Sequence, residues 1–323
     1  MLNRNNGLSR RRALLGGVAS AAAGIALVKG SASAFGQVTA SSSGGSLPVG
    51  AIQAIFGASG SLEDGGVLNF DFPRNDFIGA KTPSIFGIPV DPGWGFDTEI
   101  TFQPAGKAAL VKWEFSLLEE EVNAVLDTLL AAKLPTPETA LNAIHNHFIE
   151  ELPRTKFVHG TALGDPIAIA NILKTALRRS AQPFSSPQTR KPTPVEQQIT
   201  RIIGGQATAS GKVLSIRVPR KDSFAELNVP LQPASQIEAL FNFQEIGGVW
   251  IADCEIPVRS READAVARSM KGHDFTIMAL HNHELFIEPD LYYFHLFGKG
   301  NGVTLAQAIR QALALTNAKF SSS

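Results

Sequence analysis

The sequence has little cysteine, the residue whose disulfides cross-link small secreted proteins. Its 323 residues include a single cysteine, Cys254. One cysteine can form neither an internal disulfide nor a cysteine-based zinc site. Apolar runs are also limited: the run at residues 13–28 is diluted by Gly and Ser and is shorter than the roughly 20 residues of a transmembrane helix. Stability must therefore come from core packing, and the chain is long enough for one large or two smaller cores.

An excess of basic residues is also absent. Lys and Arg number 29, as do Asp and Glu, but residues 1–34 contain five basic residues and no acidic residue. The rest of the chain has 24 basic and 29 acidic residues, a net charge of −5. A mildly acidic protein lacks the basic surface that binds nucleic acid, and the sequence contains no nucleophile elbow or phosphate-binding glycine loop.

Residues 1–34 have the features of a twin-arginine signal peptide. Three consecutive arginines lie at 10–12, the apolar run follows, and Ala32-Ser33-Ala34 is a typical cleavage site. We expect cleavage after Ala34 and a bacterial periplasmic or secreted protein without a stable membrane span. An uncleaved N-terminal anchor is the alternative. Residues 35–47, rich in Gly and Ser, are predicted to be a flexible leader.

The rest of the chain is an internal duplication. Repeat 1 is predicted at residues 48–180 and repeat 2 at 194–320, joined by a Pro- and Ser-rich linker at 181–193. The alternating strand at 67–74, for example, corresponds to that at 213–220. The pattern predicts an α+β fold in which two mostly antiparallel sheets with flanking helices pack as a pseudo-two-fold pair. The pattern is compatible with one continuous sheet that spans both repeats and with two separate sheets.

Capping residues mark several helix starts in both repeats. Thr193 before Pro194, and Asp165 before Pro166, each combine an N-cap residue with a proline at the first helical position. Thr304 is predicted to begin the last helix of repeat 2.

Six of the seven histidines follow the duplication. Each repeat has a His-Asn-His motif and, after eleven further residues, a third histidine, with a proline midway between the last two histidines. The histidines are His145, His147 and His159 in repeat 1 and His281, His283 and His295 in repeat 2.

This spacing predicts one three-histidine cluster in each hairpin. Residues i and i+2 of a strand share a face, so His281 and His283 should lie side by side. A turn at Pro289 would then place His283 opposite His295. Three imidazoles with an open coordination position are typical of catalytic zinc sites, so zinc is the divalent metal we expect, although copper, iron and nickel also bind imidazole. The alternatives are an anionic or other small-molecule ligand, and histidines that only form hydrogen bonds.

Carboxylates and an aromatic residue extend the candidate site. Glu114 and Glu255 occupy equivalent strand positions, where each could be a metal ligand, an orienting group or a catalytic general base. A solvent-exposed position at the strand end is the alternative. Tyr293 lies on the histidine face of its strand, and such an aromatic wall favours repeat 2 as the stronger metal site.

The duplicated motif resembles that of the LppY/LpqO family of bacterial exported proteins. The resemblance rests on the two Ala-Ile/Leu-His-Asn-His segments, on the Val-Pro-Arg strand end at 218–220 and on the export signal, and it covers both repeats. Pro153 keeps the Pro-Arg pair of the family, whereas Asp290 follows Pro289 in repeat 2. Named members are lipoproteins, but the lipid-bearing cysteine is missing here, so membrane anchoring does not transfer. The resemblance implies a fold and an exported compartment, and no defined activity.

These observations predict an exported metal-binding protein, with metal-dependent hydrolysis as a further activity. The alternatives are a non-catalytic periplasmic module that binds a metal or a small anion, and a duplicated structural scaffold. A substrate-sized cleft beside an open coordination position would indicate catalysis, whereas a closed site would indicate storage or sensing. The sequence defines neither a substrate nor an oligomeric state.

Overall fold

The computed structural model describes residues 45–134 and 141–321. The predicted signal peptide and most of the predicted leader lie outside the described residues. Within them the chain forms six α-helices and nineteen β-strands in two similar halves, which confirms the predicted α+β class. No helix in these two ranges is long and apolar enough to cross a membrane.

Repeat 1 contains α1–α3 and β1–β9. The helices span Val49–Phe56, Val122–Ala131 and Pro166–Leu177. The strands span Ser61–Leu62, Leu68–Pro73, Ser84–Ile85, Ile88–Pro89, Asp97–Ala105, Ala108–Leu118, Ala143–His145, Glu151–Leu152 and Thr155–Gly164. The main sheet has the order β1-β2-β5-β6-β9-β7, and β4-β3-β8 form a second, small sheet.

The second half contains α4–α6 and β10–β19. The helices span Pro194–Ile203, Ala263–Lys271 and Gly302–Leu313. The strands span Thr189–Arg190, Gln206–Ser210, Val213–Val218, Ala225–Glu226, Val229–Pro230, Ala239–Ile246, Val249–Val258, Thr276–His281, Ile287–Glu288 and Tyr292–Gly300. The main sheet has the order β10-β11-β12-β15-β16-β19-β17, and the small sheet has the order β14-β13-β18. Both halves therefore share one topology, apart from the additional strand β10, which has no counterpart among the described residues of repeat 1, and each half has its own main sheet.

Side-chain caps in the local sequence mark the start of three of these six helices. Thr193 caps α4 and Asp165 caps α3, as predicted. Thr193 also forms a reciprocal capping box with Glu196, which was not predicted. The last helix begins earlier than predicted, because Asn301 rather than Thr304 is its N-cap. Each main sheet buries one face against the three helices of its own half.

The opposite faces of the two main sheets meet near the centre of the molecule. Here each small sheet packs against the main sheet of the other half: Ile85 of β3 contacts the cluster that contains Val213 and Ile251, and Val229 of β14 shares a cluster with Leu110. This exchange brings the histidine-bearing edges of the two main sheets together.

Candidate metal site

The histidines lie at equivalent places in the two halves. In each half the first is the last residue of an edge strand, the second follows two residues later in a loop, and the third lies in the neighbouring strand. These are His145, His147 and His159 on β7 and β9, and His281, His283 and His295 on β17 and β19.

The strand register differs from the predicted hairpin. Ala279 is opposite His295, and His281 is opposite Tyr293. His283 is therefore not the cross-strand partner of His295, and that prediction is wrong. The physical reason is that the chain leaves the sheet after β17, since β18 pairs with β13 before β19 begins. Repeat 1 has the same register.

The six imidazoles form one cluster instead of the two predicted triads. Each ring faces a ring of the other repeat. The centroid distances are 3.9 Å for the stacked pair His147 and His295, 4.0 Å for the stacked pair His159 and His283, and 3.5 Å for the tilted pair His145 and His281. Spacing along one hairpin carries no information about the other repeat, so the sequence could not reveal these pairs.

The Nε2 atom of every histidine in the cluster is buried without a hydrogen-bond partner. Exposures are only 1–5 % for the four inner residues, His147, His159, His283 and His295. In the two half-buried outer residues, His145 and His281, Nδ1 lies 3.3 Å from the carbonyl oxygen of the next residue. An Nδ1–H that donates to a carbonyl leaves the lone pair on Nε2, the atom then free to bind a metal.

Burial keeps these imidazoles uncharged. Burial and the nearby His281 lower the pKa of His145 to about 3, and burial lowers the pKa of His281 to about 4. Burial and neighbouring imidazoles lower the pKa values of the four inner histidines well below the ordinary value. At neutral pH all six rings can therefore offer a lone pair.

Glu114 and Glu255 lie against the inner histidines, as members of cross-strand pairs with His159 and His295. The Glu114 carboxylate oxygens lie 3.5 Å from Nε2 of His159 and 3.7 Å from Nε2 of His147. Glu255 Oε2 lies 4.0 Å from Nε2 of His295. Burial and neighbouring carboxylates raise the pKa values of both glutamates well above the ordinary value, so neither is a freely solvated strand-end residue.

Three overlapping groups of side chains have donor atoms that all lie within 4.8 Å of one another. They are His145, His147, His281 and His283; Glu114, His147, His159 and His283; and Glu255, His283 and His295. Tetrahedral coordination with bonds of about 2.1 Å separates ligand atoms by about 3.4 Å, so the observed nitrogen–oxygen distances need only small adjustments. His283 belongs to all three groups.

Aromatic rings support the two central histidines. Tyr293 stacks on His283 with a centroid distance of 3.7 Å, and Phe157 stacks on His147 at 3.5 Å. The aromatic wall that favoured repeat 2 therefore has a counterpart in repeat 1. The two walls differ in that the Tyr293 hydroxyl lies 3.2 Å from Glu284 Oε1.

A buried charged group beside the cluster was missed by the sequence analysis. Lys112 of repeat 1 bonds to Glu284 and lies 3.7 Å from Glu226, two carboxylates of repeat 2. Burial lowers the pKa of Lys112, but the two carboxylates outweigh this effect and raise it above the ordinary value. The available signal was the i, i+2 spacing of Lys112 and Glu114, which puts both on the inner face of β6.

A cavity of about 30 Å³ reaches His147 and His283 from the carboxylate side of the cluster. This volume is on the order of one water molecule. Its acidic lining residues are Asp97, Glu99, Glu114, Glu238, Asp253 and Glu255. Burial raises the pKa of Asp253 to about 8, because the cavity disfavours an uncompensated negative charge.

Comparison with known proteins identifies both repeats as copies of one domain. The family described as "Domain of Unknown Function (DUF1259)" matches residues 50–179 and 197–315, more than half of the chain. No curated protein matches the sequence. A solved structure titled "Structure of crystal form I of TP0453" is 10% identical and covers 83% of this chain and 98% of that chain, with a TM-score of 0.18. A likeness at that level carries no argument about fold or function.

Proposed function

The chain belongs to the family described as Domain of Unknown Function (DUF1259), and we propose that it is a metal-binding protein whose metal centre is shared by the two repeats. The observation that carries this proposal is the cluster of six buried Nε2 atoms without hydrogen-bond partners. Each unpaired buried polar group costs roughly 1–3 kcal/mol. In a purely structural scaffold nothing would compensate this loss of stability at six groups, whereas a bound metal ion would compensate it by binding their lone pairs.

The charge of the site favours a cation over the small anion that the sequence also allowed. The imidazoles are neutral at pH 7, because burial lowers their pKa values. Glu114 and Glu255 add acceptor oxygens beside them. A site made of imidazole lone pairs and carboxyl oxygens offers ligands to a metal ion, and its uncharged imidazoles supply no positive charge to hold an anion.

The number of donors fits two ions better than one. Each repeat supplies two histidines and one glutamate, namely Glu114, His147 and His159 in repeat 1 and Glu255, His283 and His295 in repeat 2. The outer pair, His145 and His281, brings the total to eight donors, more than the four to six ligands that one transition ion usually binds. We propose zinc as the metal; two histidines with one carboxylate are also the ligand set of non-haem iron proteins.

We propose binding, not hydrolysis, as the main role of this centre. A hydrolase needs room for its substrate beside a metal-bound water. The cavity that reaches His147 and His283 has a volume of about 30 Å³, which suits a water or an ion. Glu114 and Glu255 are accordingly proposed as ligands instead of general bases.

Three further proposals rest on sequence features alone. They are twin-arginine export to the periplasm, a relationship to the LppY/LpqO family, and repeat boundaries at 48–180 and 194–320. The mass of the exported protein tests the first: an N-terminus at Phe35 agrees with it, and retention of Met1 in the periplasmic fraction contradicts it.

Elemental analysis of metal-stripped protein reloaded with Zn²⁺ tests the metal centre. We expect two ions per chain in the parent and at least one fewer in His283→Ala, because His283 belongs to every candidate ligand group. His273→Ala is the matched control, since His273 is exposed and contacts Gln311 outside the cluster. The proposal fails if the parent binds neither Zn²⁺, Cu²⁺, Fe²⁺ nor Ni²⁺, or if His283→Ala retains the parent stoichiometry.

A further inference from the structure

The cavity beside the histidines has two different ends. At one end are the inner residues His147 and His283, which are 5 % and 4 % exposed. At the other end are Arg217 and Glu99, whose side chains are 35 % and 17 % exposed and pair at 2.6 Å across the two repeats. The second end therefore meets solvent, and the cavity connects solvent with the buried imidazoles.

The wall between these ends is strongly acidic. Six carboxylate residues line the cavity, and Arg217 is the single basic residue among the described residues of its lining. Arg217 donates a hydrogen bond to Glu99 and also partly offsets the rise that burial causes in the pKa of Glu238, so one basic residue is shared among six carboxyl groups of the lining. When these carboxyl groups are ionised, a narrow passage with low-dielectric walls concentrates cations and repels anions.

One of these carboxyl groups also has an oxygen without a hydrogen-bond partner. Asp253 is 7 % exposed, and its Oδ1 is buried without a hydrogen-bond partner. The equivalent position in repeat 1 is Lys112, whose ammonium bonds to Glu284. Equivalent strand positions therefore carry a lysine and an aspartate, and of these two residues only Asp253 offers oxygen ligands to an incoming cation.

We infer that this cavity is the uptake path for the metal centre, in which carboxylate oxygens first hold a partly hydrated divalent cation and then release it to His147 and His283. The inference rests on the proposed metal-binding function and adds a second, oxygen-lined position to it. Oxygen ligands suit the hydrated ion because they exchange readily with water, whereas the imidazoles form the final, more stable nitrogen site.

Stopped-flow mixing of the metal-free chain with Co²⁺, followed by the visible absorption of imidazole-bound Co²⁺, tests this path. Glu238→Gln and Asp253→Asn should each slow uptake by up to about tenfold at low ionic strength and pH 8.5, where the Asp253 carboxyl, with a pKa of about 8, is mostly ionised, because electrostatic steering by a whole charged cleft contributes about 10–10³. Arg217→Gln should accelerate uptake, since it removes the positive charge at the mouth. These differences should shrink in about 1 M salt, where the Debye length is about 3 Å, and the final stoichiometry should match the parent in all three.

Asp264→Asn is the control, because it makes the same charge change on α5 at a side chain that is 89 % exposed. It should load at the parent rate. The proposed uptake path would be contradicted if all variants took up Co²⁺ at the same rate, or if the acidic variants and the Arg217 variant changed the uptake rate in the same direction. Either result would leave the proposed metal centre intact. A parent chain that binds no Co²⁺ at equilibrium would overturn the metal centre and the path together.

Discussion

Tyr293 and Phe157 occupy equivalent positions beneath the two central imidazoles and differ by one hydroxyl group. Both rings are fully buried, so each fixes the orientation of a histidine by stacking. The Tyr293 hydroxyl also contacts Glu284, which bonds to Lys112. Ring stacking therefore orients the imidazole, while the Tyr293 hydroxyl contacts the ion pair of Glu284 and Lys112.

Removing the hydroxyl at position 293 and adding one at position 157 should separate the effect of ring stacking from the effect of the hydroxyl. Tyr293→Phe should lower the free energy of unfolding by about 1 kcal/mol, the net value of one hydrogen bond, and should leave the metal stoichiometry unchanged. Phe157→Tyr should cost roughly 1–3 kcal/mol, because it buries a hydroxyl within an apolar cluster. Urea unfolding and elemental analysis measure both effects. Loss of metal from Tyr293→Phe would show that the hydroxyl belongs to the site itself.

The short strands β8 and β18 are equivalent elements with different chemistry. Glu151 of β8 is 7 % exposed, and its carboxylate accepts from the Thr155 backbone N–H and hydroxyl at 3.0 Å each. Burial outweighs these bonds and raises the pKa of Glu151 from 4.5 to about 7. The folded state thus retains a proton that the unfolded state has lost between these pH values.

The contribution of Glu151 to stability should therefore fall as the pH rises from 4.5 to about 7. The loss from this one residue is on the order of 3 kcal/mol, at 1.36 kcal/mol for each pKa unit. Glu151→Gln keeps an acceptor for the Thr155 N–H and removes the titration, so it should equal the parent near pH 4.5 and exceed it above pH 7. Urea unfolding of metal-free protein at several pH values measures the difference.

Glu288→Gln of β18 provides the matched control for this pH series, because Glu288 is exposed. It should follow the parent at every pH. If Glu151→Gln shows the same pH dependence as the parent, the carboxyl of Glu151 does not carry the effect.

On the scale of the whole molecule, the two repeats are joined beside the histidines by Lys112, Glu226 and Glu284. The three side chains are 3 %, 0 % and 3 % exposed, and the lysine comes from a different repeat than the two glutamates. This network breaks the pseudo-two-fold symmetry, because the opposite side of the centre is an aromatic cluster that includes Phe148 and Phe297. It joins the two repeats on one side of the centre only.

Replacing Lys112 by an uncharged residue should lower the stability of the protein. Lys112→Met leaves two buried carboxylates without their cation and should destabilise the fold by roughly 3–5 kcal/mol. The triple variant Lys112→Met, Glu226→Gln and Glu284→Gln should recover most of that loss, since no buried charge remains. Denaturant unfolding compares the variants, with Lys271→Met at an exposed position of α5 as the control. A Lys112→Met protein as stable as the control would contradict this account.

The sequence by itself determined the repeated order of elements and the residue types of the site. Local signals suffice for this, because an N-cap such as Thr193 or Asp165 acts within one helical turn and strand alternation acts within one strand. The concentration of six histidines in a duplicated motif likewise identified the candidate ligands, and Glu114 and Glu255 followed from their equivalent strand positions.

The tertiary structure alone decided which of these residues meet. The strand register, set by the pairing of β18 with β13, separated His283 from His295 across the strands. Packing of the two repeats then stacked His283 on His159 and brought Glu284 to Lys112. Such contacts join residues far apart in the chain, and their geometry depends on how two complete sheets pack, which no spacing within a single hairpin encodes.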